Sequence, residues 1–581
     1  MRLFDRLTWI GIAFSLIAGL ILFRLISIQK LAETLSKEPV YSTIVQPERG
    51  MIYDRDGHIL AGNRLYYEVG VELNQVIENT GADTIAQETS RILGLDYLAV
   101  KSAASIPFDA SKARYAMIED FIEPSKISQL EQVKKQYKIN YDPRLNGLYW
   151  YPYLSRSYPE NSLASNVIGF FGFWDRLTGK PYFGIEEEYN DLLSGKRISV
   201  TYQLDPSRIT DLPSIPPGAD LVLTIDREIQ AMVERILDWE VEKSGSVSGT
   251  ILIMNPQTGE ILAMAVNPRI NPNQYANYAE MLSQGYSYNR AIDLNYEPGS
   301  VFKVITMAAA LDADVVEQDT VFLDQGYFQV GGYTIYNWDR SAWGPQDMLG
   351  CLQHSLNVCL SWVAVEKLGS TRFYDYLDRF GIGHRTNIDL AGELVFPLSV
   401  PGDSNWSEVS LATNSFGQGL AVTPIQLATA VSALANGGKI MAPHVLKAVI
   451  SSDQQFTIQP KVIANPISAA TAKTLSSMLV TSLEREASSA LVEGYRVAGK
   501  TGTAEIAVEN LGYITDLTNA SFVGWGPVDD PQFLVYIWLE QPTSSPWGSV
   551  VAAPVFKKVV SELVLLMNIP PDDIRRQLAS Q

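Results

Sequence analysis

The sequence predicts an α/β protein: one sheet assembled from distant pieces of chain and covered by helices, behind a single membrane-spanning helix. Three observations carry that expectation. Residues 7–23 hold no charged side chain. Apolar runs of strand length, separated by turn residues, recur at 249–266 and again at 520–539. Between these two regions lie long stretches with helical periodicity and capping residues.

The uncharged run LTWIGIAFSLIAGLILF (Leu7–Phe23) makes about 26 Å of helix. Leu25, Ile26 and Ile28 extend it past Arg24, which can snorkel, so residues 7–28 reach across a hydrocarbon core of about 30 Å. Arg-Leu-Ile-Ser-Ile-Gln-Lys follows the run in place of a small-x-small cleavage site, which reads as an uncleaved anchor behind a tail of residues 1–6. A buried core helix would carry a polar face, and this segment has none. Arg2 and Arg6 on one side balance Arg24, Lys30 and Lys37 on the other, so charge leaves the orientation open. Gly11, Ser15 and Gly19 stand four apart on one face, where another membrane helix could approach closely.

Residues 29–216 form the next region. In ERGMIYDRDGHILA (Glu48–Ala61), Asp56-Gly57 lies between two short apolar stretches, as in a hairpin. Residues 80–140 alternate helical patterns with polar loops, and Arg156–Gly195 reads as loops ending in a helix. Asp211–Gly218, DLPSIPPG, has three prolines and reads as a linker to a large domain over 217–570, followed by a tail of residues 571–581. In that domain Asp226 caps the helix REIQAMVERILDWEVEK. Gly249–Met254 and Glu260–Val266 form a hairpin, and a helical block runs from about Ser300 to Phe380. The helix TPIQLATAVSALANGG ends at its glycines, Arg496–Val508 is a strand, and Ala520–Trp525 with Gln532–Leu539 makes a second hairpin.

Composition narrows the chemistry. The 64 acidic and 45 basic residues give a net charge of −19, which argues against nucleic acid as a partner, since affinity for phosphate backbones comes from Lys and Arg. Two cysteines cannot build a disulfide framework, and four scattered histidines give no metal cluster; no metal or cofactor is expected. Reactivity must then come from Ser, Lys, Asp or Glu.

Glu297-Pro298-Gly299-Ser300-Val301-Phe302-Lys303 opens the helical block. Residues three apart share a helix face, so the Lys303 amine can reach the Ser300 hydroxyl. A serine needs a base to become a nucleophile, and a desolvated lysine can be that base. Ser355-Leu356-Asn357, between two helical segments, can offer a hydroxyl and an amide from one loop. In Lys500-Thr501-Gly502-Thr503 the glycine permits close backbone approach and Lys500 supplies a fixed positive charge.

S-x-x-K, S-x-N and K-T-G in this order form the signature of penicillin-interacting serine acyltransferases. With RGMIYDRDGHILA, RSYPENSLASNVIGF, GIEEEYNDLLSG, LTIDREIQ, NPQTGEILAMAVNP, GQGLAVTPIQLA and SFVGWGP, the chain resembles a class B penicillin-binding protein over almost its whole length. The RGMIYDRDG run separates it from β-lactamases and small carboxypeptidases. The resemblance implies a penicillin-binding transpeptidase fold, an antiparallel sheet covered by helices, on a non-catalytic α+β pedestal. It implies a bacterial cytoplasmic-membrane protein, single-pass, with its amino terminus in the cytoplasm and its catalytic domain outside. Ser300 would attack the penultimate D-Ala of a stem peptide ending in D-Ala-D-Ala, with Lys303 as base, Ser355 as proton relay and Asn357 holding the donor amide. Lys500, Thr501 and Thr503 would hold the substrate carboxylate, Gly502 would let the donor lie along the strand, and the Ser300 and Thr503 N–H groups would form the oxyanion hole. β-Lactams would take the same site, and a polytopic SEDS-family glycosyltransferase would be the partner. Asn357 resembles the division type more than the elongation type. The competing readings are β-lactam or carboxypeptide hydrolysis, and a non-enzymatic β-lactam sensor or scaffold.

Three further clusters suggest no chemistry of their own. Cys351 and Cys359 are expected as buried thiols rather than zinc ligands with His354; a disulfide would need Cα atoms within about 7 Å, which only a sharp turn at Ser355 could supply. Glu186-Glu187-Glu188 reads as helix-surface charge combined with the family's packing motif, and Tyr149–Tyr153 (YWYPY) as core packing.

Overall fold

A computed structural model of the chain describes residues 2–35, 40–45, 47–173, 179–203, 215–452, 454–508 and 512–580. The chain divides into two compact units, Met1–Arg49 with Ser194–Gly218, and Gly50–Leu193 with Ala219–Gln581. The first holds the helix Arg2–Leu35 and an antiparallel pair, Val40–Val45 with Ile198–Gln203. Within that helix no residue of Thr8–Lys30 is buried, and the segment is long and apolar enough to cross a membrane. The first half of the expected linker, residues 211–214, like Lys37, lies outside the described residues.

The second unit is built on a five-stranded antiparallel sheet in the order Ile261–Asn267, Ser248–Met254, Phe533–Glu540, Gly512–Gly526, Ala498–Val508. The strand Phe533–Glu540 shows how it is filled. Phe533, Val535, Ile537 and Leu539 pack with the helices Arg227–Ser244 and Gly548–Leu566, while Leu534, Tyr536 and Trp538 face the opposite layer. Period-two alternation of large apolar side chains on both faces demands a helix layer on each, which makes the sandwich. Pro424–Ala435, buried at every residue, and Lys303–Asp312 belong to that opposite layer. Asp226 caps Arg227–Ser244 by accepting from the Glu228 and Ile229 N–H groups, as the sequence predicts.

The pedestal shares a second, seven-stranded sheet with the large domain. Its order is Gln454–Thr457, Leu446–Ser451, Asp220–Leu223, Ile52–Tyr53, Ile59–Glu72, Tyr115–Ile122, with Leu148–Ser157 also paired to Ile59–Glu72. The RGMIYDRDG hairpin lies at the joint: fully buried Asp54 accepts from the Asp56 and His58 N–H groups to make its turn, and from the Arg227 N–H at the next domain's helix. Glu186 is no surface charge. It is buried in an ion pair with Arg156 at 2.6 Å, and Arg156 also donates to the Gly50 carbonyl. The YWYPY segment is a strand with one inward face; Trp150 packs on the pedestal core while Tyr151 is 48% exposed, so uniform core packing does not hold.

The stretch 300–380, expected as helix throughout, contains two short ribbons: Phe322–Asp324 with Gly344–Gln346, and Tyr327–Val330 with Tyr333–Tyr336. The reason is local. Gly331 and Gly332, both at positive φ, turn a hairpin between YFQV and YTIY, whose β-branched and aromatic residues suit a strand.

Candidate active site

Ser300 sits in a single 3-10 turn, Gly299–Phe302, that runs directly into the helix Lys303–Asp312. Gly299 has φ +59° and its N–H donates to the Gly417 carbonyl at 2.9 Å; a Cβ there would lie 2.8 Å from the Thr503 carbonyl oxygen. The serine turn is therefore pressed against the edge strand Ala498–Val508 by the absence of a side chain. Val301, Phe302, Val304 and Ile305 bury the turn, and Thr306 ties the helix to the Ser415 carbonyl.

One turn on, the fully buried Lys303 amine donates to the Ser355 carbonyl at 2.6 Å, the Ser355 hydroxyl at 3.1 Å and Asn357 Oδ1 at 2.8 Å. Lys500 Nζ, almost as buried, donates to the same Ser355 hydroxyl at 3.1 Å and to the Thr501 carbonyl at 3.2 Å. Ser355 Oγ thus receives both lysines. Burial, reinforced by the positive Lys500, holds the Lys303 amine far below the ordinary lysine range. Burial also lowers Lys500, to about 8, against the opposing pull of the Glu486 carboxylate. Among the described residues no hydrogen bond joins the Ser300 hydroxyl to the Lys303 amine, whose bonds go to the 355–357 loop.

That loop joins the helices Met348–Gln353 and Asn357–Trp362. Ser355 adopts φ +54°, a left-handed conformation that costs a residue with a Cβ roughly 1–3 kcal/mol and needs its surroundings to hold it. Asn337 does part of this: its Oδ1 accepts from the Val358 N–H, and its amide donates to the buried Asp324 carboxylate. Asn357 Nδ2 donates to the Tyr336 carbonyl, and Trp338 Nε1 to the His354 carbonyl. His354 stacks on Trp343 and pairs with Glu486. The sequence did not point to Asn337 or Asp324, because Asp324 ends one of the ribbons and Asn337 follows the other, inside the stretch expected as helix. Cys351 and Cys359 are joined in a disulfide with Cα atoms 6.0 Å apart, contrary to the expected free thiols. The left-handed turn at Ser355 folds the two helices back on each other and brings the cysteines within bonding range. Neither sulfur is then available as a zinc ligand.

In the edge strand, Gly502 is required by contact. A Cβ there would lie 2.2 Å from Ser521 Oγ and 2.9 Å from Val301 Cγ1, so any side chain would drive the strand off the serine turn. The Thr503 hydroxyl accepts from the Gly548 N–H at 3.0 Å, leaving its own proton free. Trp338 and Trp547, about half exposed, meet edge to face at 5.3 Å beside this strand. Among the described residues no strand lies on the outer side of Ala498–Val508 in the sheet order.

Comparison with known proteins bears on the family and the fold. The penicillin binding protein transpeptidase domain matches residues 249–561, and the penicillin-binding protein dimerisation domain matches residues 44–211. The chain is 33% identical to stage V sporulation protein D of Bacillus subtilis over 542 residues, 90% of this chain and 79% of that one. It is 28% identical to the peptidoglycan D,D-transpeptidase FtsI of Escherichia coli, over 91% of this chain and 85% of that protein. In fold it is similar to penicillin binding protein 2X of Streptococcus thermophilus, with a TM-score of 0.75 and 24% identity, covering 90% of this chain and 80% of that one. With both domains matched in one chain and the likeness to a relative extending over nine-tenths of it, the protein belongs to the class B penicillin-binding proteins.

Proposed function

We propose that this transpeptidase cross-links peptidoglycan stem peptides through an acyl-enzyme on Ser300, and that β-lactams acylate the same oxygen. The observation that carries the reading is the convergence of two buried lysines on the Ser355 hydroxyl beside the serine turn. A neutral Lys303 keeps N–H bonds to the Ser355 carbonyl and Asn357 Oδ1 and has a lone pair for the Ser300 proton. Ser300 Oγ then attacks the carbonyl carbon of the penultimate D-Ala, and the peptide C–N bond breaks. The leaving amine takes a proton from the Ser355 hydroxyl, which is replenished from the Lys303 ammonium. The acceptor amine enters by the reverse route, and a new amide replaces the ester. Protonated Lys500 holds the donor carboxylate with the Thr501 and Thr503 hydroxyls. The Ser300 and Thr503 N–H groups form the oxyanion hole, each donor worth about 3–4 kcal/mol in such sites. The donor adds as a strand along Ala498–Val508, whose edge is open.

Intact mass and peptide mapping after penicillin treatment test this directly. One adduct per chain on Ser300, lasting minutes or longer, is expected. A stoichiometric adduct on another serine, or rapid release of hydrolysed drug, overturns it. Asn357 and the likeness to FtsI support a division-type role, in which a fluorescent fusion collects at the septum. The amino terminus is cytoplasmic and the catalytic domain lies outside, where the substrate is. A SEDS-family glycosyltransferase packs on Gly11, Ser15 and Gly19, which leave a shallow groove along the exposed helix, and on the pedestal. Replacing all three by Leu should weaken co-purification and spare β-lactam binding; unchanged association would place the interface on the pedestal alone.

A further inference from the structure

We propose that the Cys351–Cys359 disulfide is a positioning element for acylation, holding Ser355 and Asn357 against the Lys303 amine; this rests on the Ser300 reading above. The bond closes a loop whose only interior polar side chains are Gln353, His354, Ser355 and Asn357, two of which carry the contacts to Lys303. Both cysteines are completely buried in the main core, one on each of the helices that flank the turn. At the apex Ser355 is left-handed, and its carbonyl and hydroxyl both point to Lys303. The helix Asn357–Trp362 begins without a side-chain cap of its own, so its start is set from outside: by Asn337 on the Val358 N–H and by the disulfide through Cys359. The Leu356 N–H returns to the Cys351 carbonyl, which makes the cross-link the second closure of the same turn.

Without the sulfur bridge the two helix ends are held by the Leu356–Cys351 backbone bond, by Asn337 and by a turn that a residue with a Cβ adopts at a cost. A displacement of about 1 Å at a group that positions a base can cost on the order of a hundredfold in rate. The loop also shuts water from Lys303. The charged groups around that amine are Lys500 on the edge strand and, behind it, Glu486 at the end of the helix Ala469–Glu486, which pairs with His354 beside the turn. Opening the loop therefore hydrates the amine and returns it toward the ordinary lysine range, so less of it is neutral at pH 7.

The test uses the full-length protein in detergent. Alkylation under native and denaturing conditions with mass analysis should find no free thiol; two free thiols in the active protein overturn the proposal at once. In the Cys351→Ala/Cys359→Ala variant the second-order rate of acylation by labelled penicillin should fall roughly a hundredfold at pH 7. The acidic limb of its pH profile should move to higher pH. The unsubstituted chain made under reducing conditions provides the dithiol form should the alanine pair fail to fold, and should show the same two changes. A lower melting temperature with wild-type rate and wild-type pH profile makes the bond a structural staple only and refutes the positioning role. Loss of acylation in the oxidised wild type would instead refute the Ser300 reading.

Discussion

At the level of single residues the site asks opposite things of two buried lysines that donate to the same serine hydroxyl. Lys303 must give up its proton, and burial with Lys500 nearby lowers it for that purpose. Lys500 must stay charged toward a carboxylate. Arginine does not deprotonate in proteins but binds a carboxylate through two hydrogen bonds. Lys303→Arg should therefore abolish acylation by labelled penicillin, while Lys500→Arg should slow it and leave a measurable rate in a protein of equal thermal stability. The pH profile sharpens the assignment. Lys500 loses its charge near pH 8, so acylation should decline above that pH in the wild type, and Lys500→Arg should push the decline to higher pH. A decline still centred near 8 in that variant would assign it to another group. Gly502→Val tests the contact rather than the charge: with Val301 and Ser521 already inside van der Waals range of a Cβ, acylation should fall by at least tenfold in a protein that still melts cooperatively.

At the level of elements, the helix starts and the strands of the central sheet follow from local pattern. Asp226 before an amphipathic run, and two apolar runs around NPQTG, predict a capped helix and a hairpin that are both present. The ribbons at 322–346 escape a reading by periodicity, because strands of three or four residues carry little of it, although Gly331-Gly332 between YFQV and YTIY is a local hairpin signal. The second ribbon ends at Tyr336 and is followed by Asn337, whose Oδ1 accepts from the Val358 N–H beside the 355–357 turn. Asn337→Leu should leave the Asp324 carboxylate and the Val358 N–H without that partner, at about 1–3 kcal/mol for each buried group left unsatisfied. A thermal melt should show the loss, and acylation should slow with it. A variant that melts lower but acylates at the wild-type rate would confine Asn337 to stability.

Across the second compact unit, the pedestal and the large domain are joined by a continuous sheet and by buried Asp54 of RGMIYDRDG, which accepts from the Arg227 N–H, while Glu186 of GIEEE pairs with Arg156 inside the pedestal. The Arg156–Glu186 pair has side chains 2% and 0% exposed, so removing one partner strands the other in a medium that cannot solvate it. Arg156→Met should cost about 3–5 kcal/mol and lower the melting temperature sharply, while Arg156→Met/Glu186→Leu should recover much of the loss. Equal melting of the single and double variants would show that packing, and not the stranded charge, set the cost.

What the sequence by itself determined was what a few adjacent residues can express. A membrane-length apolar run, a serine three residues before a lysine, a glycine between Thr501 and Thr503, and strand-length alternation each depend on neighbours in the chain, and each was readable. The family resemblance drew these pieces into one architecture. Tertiary structure decided what depends on meetings across the chain. It placed Lys303 and Lys500 on one hydroxyl, 197 positions apart in the chain, and it buried Glu186 against Arg156. It also turned Ser355 left-handed, so that Cys351 and Cys359 meet although a continuous helix would hold them about 12 Å apart. A φ angle that local propensity disfavours is invisible to any reading of adjacent residues, because only the surrounding contacts stabilise it.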